Sequence, residues 1–314
     1  MNWSSALPTF VITLREGVEA ALVVGIVLAY LKKSDRSQLN IWVWTAVGTA
    51  ITASAMLGVL LSQLMYALQS ANKTYAPVVE PLLEASFSVL AIILLSWMLI
   101  WMTKQSRHLK GQIEGAVNQS LKSENSSKWG IFSLIFIAVL REGFETVLFI
   151  TAKLSESIPA ALGAIGGLLT ASGVGVALFK WGIRINLRRF FQIMGIILLF
   201  IVAGLVVTAL GLFDSAMSTL SQIDRNSESL CFFYGRFTKV HSCVLGPMVW
   251  NLEKVLPVDR FPGFLLSSLF GYTDRLYLVQ IAAYLGFLGT AWAFYSRSLS
   301  APSATRAKEV AKSR

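Results

Sequence analysis

Charge is what this sequence has least of. Only 14% of its 314 residues are Asp, Glu, Lys or Arg, where a soluble domain carries about 25%. So few charges cannot cover a water-exposed surface. That excludes a soluble enzyme or a nucleic-acid-binding domain, despite a formal net charge of +10. Histidine and cysteine number two each, and none of them falls in an apolar run. There is no Cys-x-x-Cys or His-Glu-x-x-His for zinc, and no Gly-x-Ser-x-Gly for an intramembrane hydrolase. The glycines Gly163, Gly166, Gly167, Gly173 and Gly175 have no preceding strand and no Lys-Ser or Lys-Thr after them. They read as close helix packing, not a phosphate loop. A basic leader region is missing as well. No Lys or Arg precedes Arg15, and the first apolar run continues to Leu31, so the N-terminus reads as a permanent helix.

What is present is apolar length. A bilayer crossing takes about 20 apolar residues at helical rise. Seven runs qualify, roughly 6–31, 41–68, 80–103, 131–152, 158–180, 190–213 and 276–297. They are continuously apolar, unlike the short alternating strands of a barrel. The expected fold is an all-α integral membrane protein with seven transmembrane helices. Of the 27 Lys and Arg, 17 fall in segments 32–40, 104–130, 180–189 and the tail from Arg297, while 8 fall in 69–79, 153–157 and 214–275. Basic loops stay in the cytoplasm. This alternation places the N-terminus outside and the C-terminus in the cytoplasm, and makes the net charge a topology and lipid-anchoring signal.

Cys231 and Cys243 both lie in the 214–275 segment, on the outer face by this count. An oxidising compartment allows a disulfide between them, with two unpaired thiols as the alternative.

One heptapeptide occurs twice, as Leu14-Arg15-Glu16-Gly17-Val18-Glu19-Ala20 and as Leu140-Arg141-Glu142-Gly143-Phe144-Glu145-Thr146. Three helices separate the copies, so the first and fourth helices cross in opposite directions. The expected plan is an inverted 3+3 repeat plus one helix, a transporter plan with the substrate site at the repeat interface. Its segments are a first repeat over 1–103, a cytoplasmic loop over 104–130 and a second repeat over 131–213. An external loop over 214–275, the seventh helix over 276–299 and a basic tail over 300–314 follow.

Each motif sets one Arg and two Glu among apolar residues. A mid-membrane charge costs about 2.5–3.5 kcal/mol, so six unpaired ones would cost as much as about 15–20 kcal/mol. That forces pairing, and Arg15 with Glu19 and Arg141 with Glu145 have the i,i+4 spacing for it. Glu16 and Glu19 share a face at i,i+3, as do Glu142 and Glu145. Gly17 and Gly143 leave room for a helix or an ion to approach. The two motifs sum to −2, a charge that a multivalent cation neutralises. With no His or Cys at hand the ligands are hard oxygens, which fits iron, manganese, magnesium or calcium and not Cu(I). The alternative is a pair of Arg–Glu clamps that lock helices together. Clamps would leave Glu16 and Glu142 without a role.

The doubled Arg-Glu-Gly-x-Glu motif resembles the signature of the oxidase-dependent iron transporters, the high-affinity iron permeases of fungi and their bacterial relatives. Glu80-Pro81-Leu82-Leu83-Glu84-Ala85, running on to Trp97-Met98 and Trp101-Met102, is similar to that family's third helix. Pro262-Gly263 with Leu269-Phe270-Gly271-Tyr272 is similar to its end. The resemblance implies a permease, not an enzyme, that moves iron across the plasma (inner) membrane. Glu16, Glu19, Glu142 and Glu145 would be ligands, Arg15 and Arg141 accompanying cations, and Glu84 a further candidate ligand. It implies no permanently bound cofactor. The partners it implies are iron ions, the bilayer and an external oxidase or iron-delivery protein. The segment from about Asp214 to Arg260 departs from the pattern of a compact bacterial member. The fungal loop motif for taking iron from a copper oxidase is not evident. A permease for another hard cation such as manganese, or a membrane iron sensor without flux, shares the same ligand set.

Overall fold

The computed structural model describes residues 5–70, 75–105, 115, 117, 127–151, 157–181, 186–223, 231, 242–258 and 260–300. Six long helices come first: α1 (Ala6–Lys33), α2 (Asn40–Ser70), α3 (Ala76–Gln105), α4 (Ser127–Thr151), α5 (Ser157–Phe179) and α6 (Leu187–Ile223). A strand β1 (Met248–Asn251), a short helix α7 (Gly263–Phe270), a strand β2 (Arg275–Tyr277) and a long helix α8 (Leu278–Ser300) complete the elements among the described residues. Among the described residues, four stretches are long and apolar enough to cross a membrane: Ser37–Leu64, Ala76–Leu99, Ile158–Phe179 and Arg189–Ile223, with a shorter apolar one at Leu278–Phe294. The other two long helices, α1 and α4, are those carrying the charged motifs. The basic tail expected beyond residue 300 and most of the 104–130 loop lie outside the described residues.

The bundle is built from crossed pairs. The motif helix α1 packs along α5, and the motif helix α4 packs along α2, while α3 packs along α6. Both motif pairs run parallel. Gly163 of α5 meets the backbone of Ala6, and further along a Cβ on Gly175 would lie 3.0 Å from the Ala21 Cβ. On the other side Ser54 of α2 meets Gly143, and Gly58 meets Val147 one turn later. At Gly167 a Cβ would sit 2.7 Å from the Phe10 carbonyl oxygen and 2.9 Å from the Leu14 nitrogen. The α5 glycines are therefore the contact surface for α1.

Among the boundaries that differ from expectation, two follow from the fold of the segment between them. α6 continues to Ile223, about ten residues into the expected loop, because Asp214–Ile223 lowers the hydropathy without breaking the helix. At 37 residues it is about 55 Å long and outruns the ~30 Å hydrocarbon core. The last helix begins at Leu278 and not at 276, since residues 275–277 pair as β2 with β1 in an antiparallel two-stranded sheet. The buried Gln280 fixes that start. Its Oε1 accepts from the Tyr277 N–H at 3.1 Å and its Nε2 donates to the Val207 carbonyl of α6 at 3.0 Å.

The described part of the expected external segment is thus folded, while residues 224–230 and 232–241 lie outside the described residues. Gly271 ends α7 in the left-handed region, φ 69°, and its backbone lies against Gly204 of α6, where neither glycine has room for a Cβ. Tyr272 donates its hydroxyl to the Leu256 carbonyl at 2.9 Å. An exposed Arg275–Glu253 pair at 2.8 Å joins β2 to the turn after β1, and the guanidinium holds the Glu253 carboxyl below its ordinary range. Cys231 and Cys243 are disulfide-bonded, and the Val244 N–H donates to Asp214 Oδ1 at 2.6 Å, which ties this end of the bridge to α6. A thiol reagent applied to the intact protein should label neither cysteine until a reductant is added, as mass spectrometry of the labelled chain would show. Labelling without reductant would reject the bridge.

Candidate metal centre

The motif residues meet where α1 and α4 approach. One carboxylate oxygen from each of Glu16, Glu19 and Glu142 lies within 4.8 Å of the others, a separation that a single cation can bridge. Glu145 stays outside that set. Its Oε1 takes the Arg141 Nε at 3.2 Å, one helical turn away.

The two arginines sit in different surroundings. Arg15 is 1% exposed and reaches Glu16 Oε1 at 2.8 Å and Glu19 Oε1 at 3.2 Å. Arg141 is 41% exposed. Of its two motif glutamates, Arg15 lies nearer its sequence neighbour Glu16, at 2.8 Å, than the i,i+4 partner Glu19, at 3.2 Å. This corrects the expectation that a clamp would leave Glu16 idle, since Glu16 is both a candidate ligand and a counter-charge. Arg15 Nη1 also donates to Met98 Sδ of α3 at 3.3 Å. Nothing in the spacing of the sequence points to that contact, because a thioether reads as packing.

The donor set suits a hard cation. Glu16 Oε2, Glu142 Oε2 and Glu145 Oε2 are buried and accept no hydrogen bond. Carboxylate oxygens stripped of both water and donors are costly. A multivalent ion coordinated by them removes that cost, and oxygen-only ligation matches iron, manganese or magnesium.

Gly17 and Gly143 serve the helices and not the ion. A Cβ on Gly17 would lie 2.6 Å from the Ala171 Cβ of α5, and one on Gly143 would lie 2.8 Å from the Ser54 Cβ of α2. Each motif glycine therefore seats its helix on the second helix of the other half, holding the glutamates in place.

Glu84 is buried at 6% exposure but belongs elsewhere. Met98, the α3 residue that touches Arg15, lies 14 residues further along the same helix, about 21 Å at helical rise. Glu84 is not among the converging carboxylates.

A sequence model of the iron permease FTR1 family matches residues 6–297, nearly the whole chain and both motifs. The chain belongs to the iron permease FTR1 family. Within the wider similarity, an uncharacterized protein of Synechocystis, slr0964, is 42% identical over 96% of each chain. A ferrous iron permease, EfeU, of Escherichia coli O6:K15:H31 is 30% identical over 89% of this chain and 91% of its own. The EfeU of Yersinia pseudotuberculosis is 29% identical over 90% of each. No solved structure matches the chain significantly. Membership accounts for the apolar helices and for iron as transported substrate.

Proposed function

We propose that this member of the family carries iron into the cytoplasm across the plasma membrane, binding it between α1 and α4. The observation that carries the reading is the convergence of Glu16, Glu19 and Glu142 from the two copies of one motif. Glu145 completes the charge. Arg15 and Arg141 offset part of it, leaving the net −2 that a divalent ion neutralises. The relatives named ferrous iron permeases favour Fe(II) as the ion that reaches the site. An external oxidase or delivery protein would then set the oxidation state before entry.

The inverted-repeat plan is part of the proposal. Swapping the two halves exchanges α1 with α4 and α2 with α5, which maps the α1–α5 pair onto α4–α2. The α3–α6 pair maps onto itself. The observed pairs are these three, and the parallel direction within the first two agrees with alternating crossings. Seven crossings, with the N-terminus outside, follow from the Lys and Arg count.

Two measurements test this. A reporter fused after Arg314 should read as cytoplasmic and one inserted between residues 225 and 245 as external, and finding both on one side would remove the inverted repeat. Radiolabelled iron should enter proteoliposomes of the purified chain saturably when clamped as Fe(II). Flux of manganese in preference to iron would reassign the substrate, and binding without flux would make the protein a sensor.

A further inference from the structure

The repeat is broken on one face, and the break separates the two sides of the centre. Ser5, Thr9 and Thr13 precede Glu16 on one stripe of α1, at steps of four, four and three residues. The same offsets before Glu142 on α4 carry Ile131, Ile135 and Val139. All six are buried. Ser5, Thr9 and Thr13 are 1%, 1% and 6% exposed, and Ile131, Ile135 and Val139 are 0%, 0% and 8%. Because α1 and α4 belong to oppositely directed repeats, the hydroxyls lie on the outer side of the glutamates and the branched apolar residues on the cytoplasmic side. Each stripe covers 11 residues, about 16 Å, or half of the ~30 Å hydrocarbon core.

The two stripes differ in how they are satisfied. Ser5 Oγ and Thr13 Oγ1 are buried without any hydrogen-bond partner, while Thr9 Oγ1 donates to the Ser5 carbonyl at 2.7 Å. Buried hydroxyls with no partner are uncommon and costly unless something polar visits them. The apolar stripe is packed shut. Ile131, Ile135 and Val139 form one core cluster with Val27 of α1, and Ala20 and Val23, which continue the α1 stripe past Glu16, pack against it. Val117, from the segment between α3 and α4, is fully buried in the same cluster.

We infer that the α1 hydroxyl stripe is the route by which a cation reaches the glutamates from the outer face, and that the Ile131–Ile135–Val139 cluster is a hydrophobic plug closing the cytoplasmic side. Hydroxyl oxygens replace part of the hydration shell of a cation as it approaches. A constriction of branched side chains stays dry and blocks an ion until it is parted. The structure is then an occluded form whose next opening toward the outside wets a polar path, while opening toward the cytoplasm must break an apolar core. This rests on the proposed inverted-repeat topology for which side is outer, and on the permease reading for the identity of the ion.

Cysteine scanning tests it in the full-length chain, where both native cysteines are bridged and give no background. Thr9→Cys, Thr13→Cys, Ile135→Cys and Val139→Cys are placed singly in right-side-out and inverted membrane vesicles. Correct amounts are fixed by labelling after denaturation. A small cationic, impermeant thiol reagent should label Thr9→Cys and Thr13→Cys from the outer face only, with Fe(II) slowing Thr13→Cys. Ile135→Cys and Val139→Cys should be protected from both faces. Equal labelling of the two pairs, nil included, or access to Thr13→Cys only from the cytoplasmic face, overturns the inference. Labelling reports water access and not flux, so the expected pattern in a chain that moves no iron would remove the permease reading and leave the path standing.

Discussion

Glu142→Gln should reduce iron uptake to the background of empty membranes while leaving the protein inserted at wild-type levels. Glutamine keeps the shape and one carbonyl oxygen but removes a negative charge from a site whose affinity depends on the number of charged ligands. Glu142 Oε2 is a buried oxygen with no hydrogen-bond partner, so the charge removed is one that coordination uses and folding does not. Glu16→Gln should be equally inactive but also less stable, because Glu16 is a counter-charge of the buried Arg15, at 2.8 Å. Radiolabelled uptake normalised to protein quantified in the membrane separates the two. Normal transport by both variants would turn the motifs into structural clamps.

Replacing Arg15 should destabilise the protein more than replacing Arg141. Arg15 is 1% exposed between Glu16 and Glu19, and removing one partner from a buried ion cluster costs about 3–5 kcal/mol. Native domains are stable by only about 5–15 kcal/mol, so Arg15→Gln should lose most of its yield and melt well below the wild type in detergent. Arg141 is 41% exposed and pairs with Glu145 at 3.2 Å. Its partner Glu145 is only 10% exposed, so Arg141→Gln leaves one buried carboxylate without its cation where Arg15→Gln leaves two, and should melt between Arg15→Gln and the wild type. Equal melting of the two variants would contradict the asymmetry between the motifs.

That asymmetry marks the limit of what a sequence discloses. The heptapeptides are alike in their charged positions, and helical spacing is enough to set Arg141 beside Glu145 because that contact is local. Whether an arginine is buried depends on which helices cover it, and this is decided by α3 through Met98, 83 residues away. Glu84 illustrates the same limit. Its place in a family-like stretch suggests the centre, yet the register of α3 sets it about 21 Å along the helix from Met98. The apolar runs disclose the long helices because burial in lipid leaves a continuous composition signal. The extension of α6 and the β1–β2 pair lie where hydropathy falls, and nothing periodic separates a water-facing helix from a loop there. The hydroxyl stripe was legible in principle. It emerges on setting Ser5, Thr9 and Thr13 against Ile131, Ile135 and Val139, but acquires meaning only when all six prove to be buried.

The central claim is that carboxylates from both motifs hold the iron together. X-ray absorption at the iron edge, on the full-length chain loaded with Fe(II) in detergent, addresses it most directly. The account predicts a first shell of oxygen alone, which loses a ligand or loses its iron in Glu142→Gln and in Glu16→Gln alike. A shell containing sulfur or imidazole nitrogen, or one that neither substitution changes, would place the iron elsewhere and contradict it.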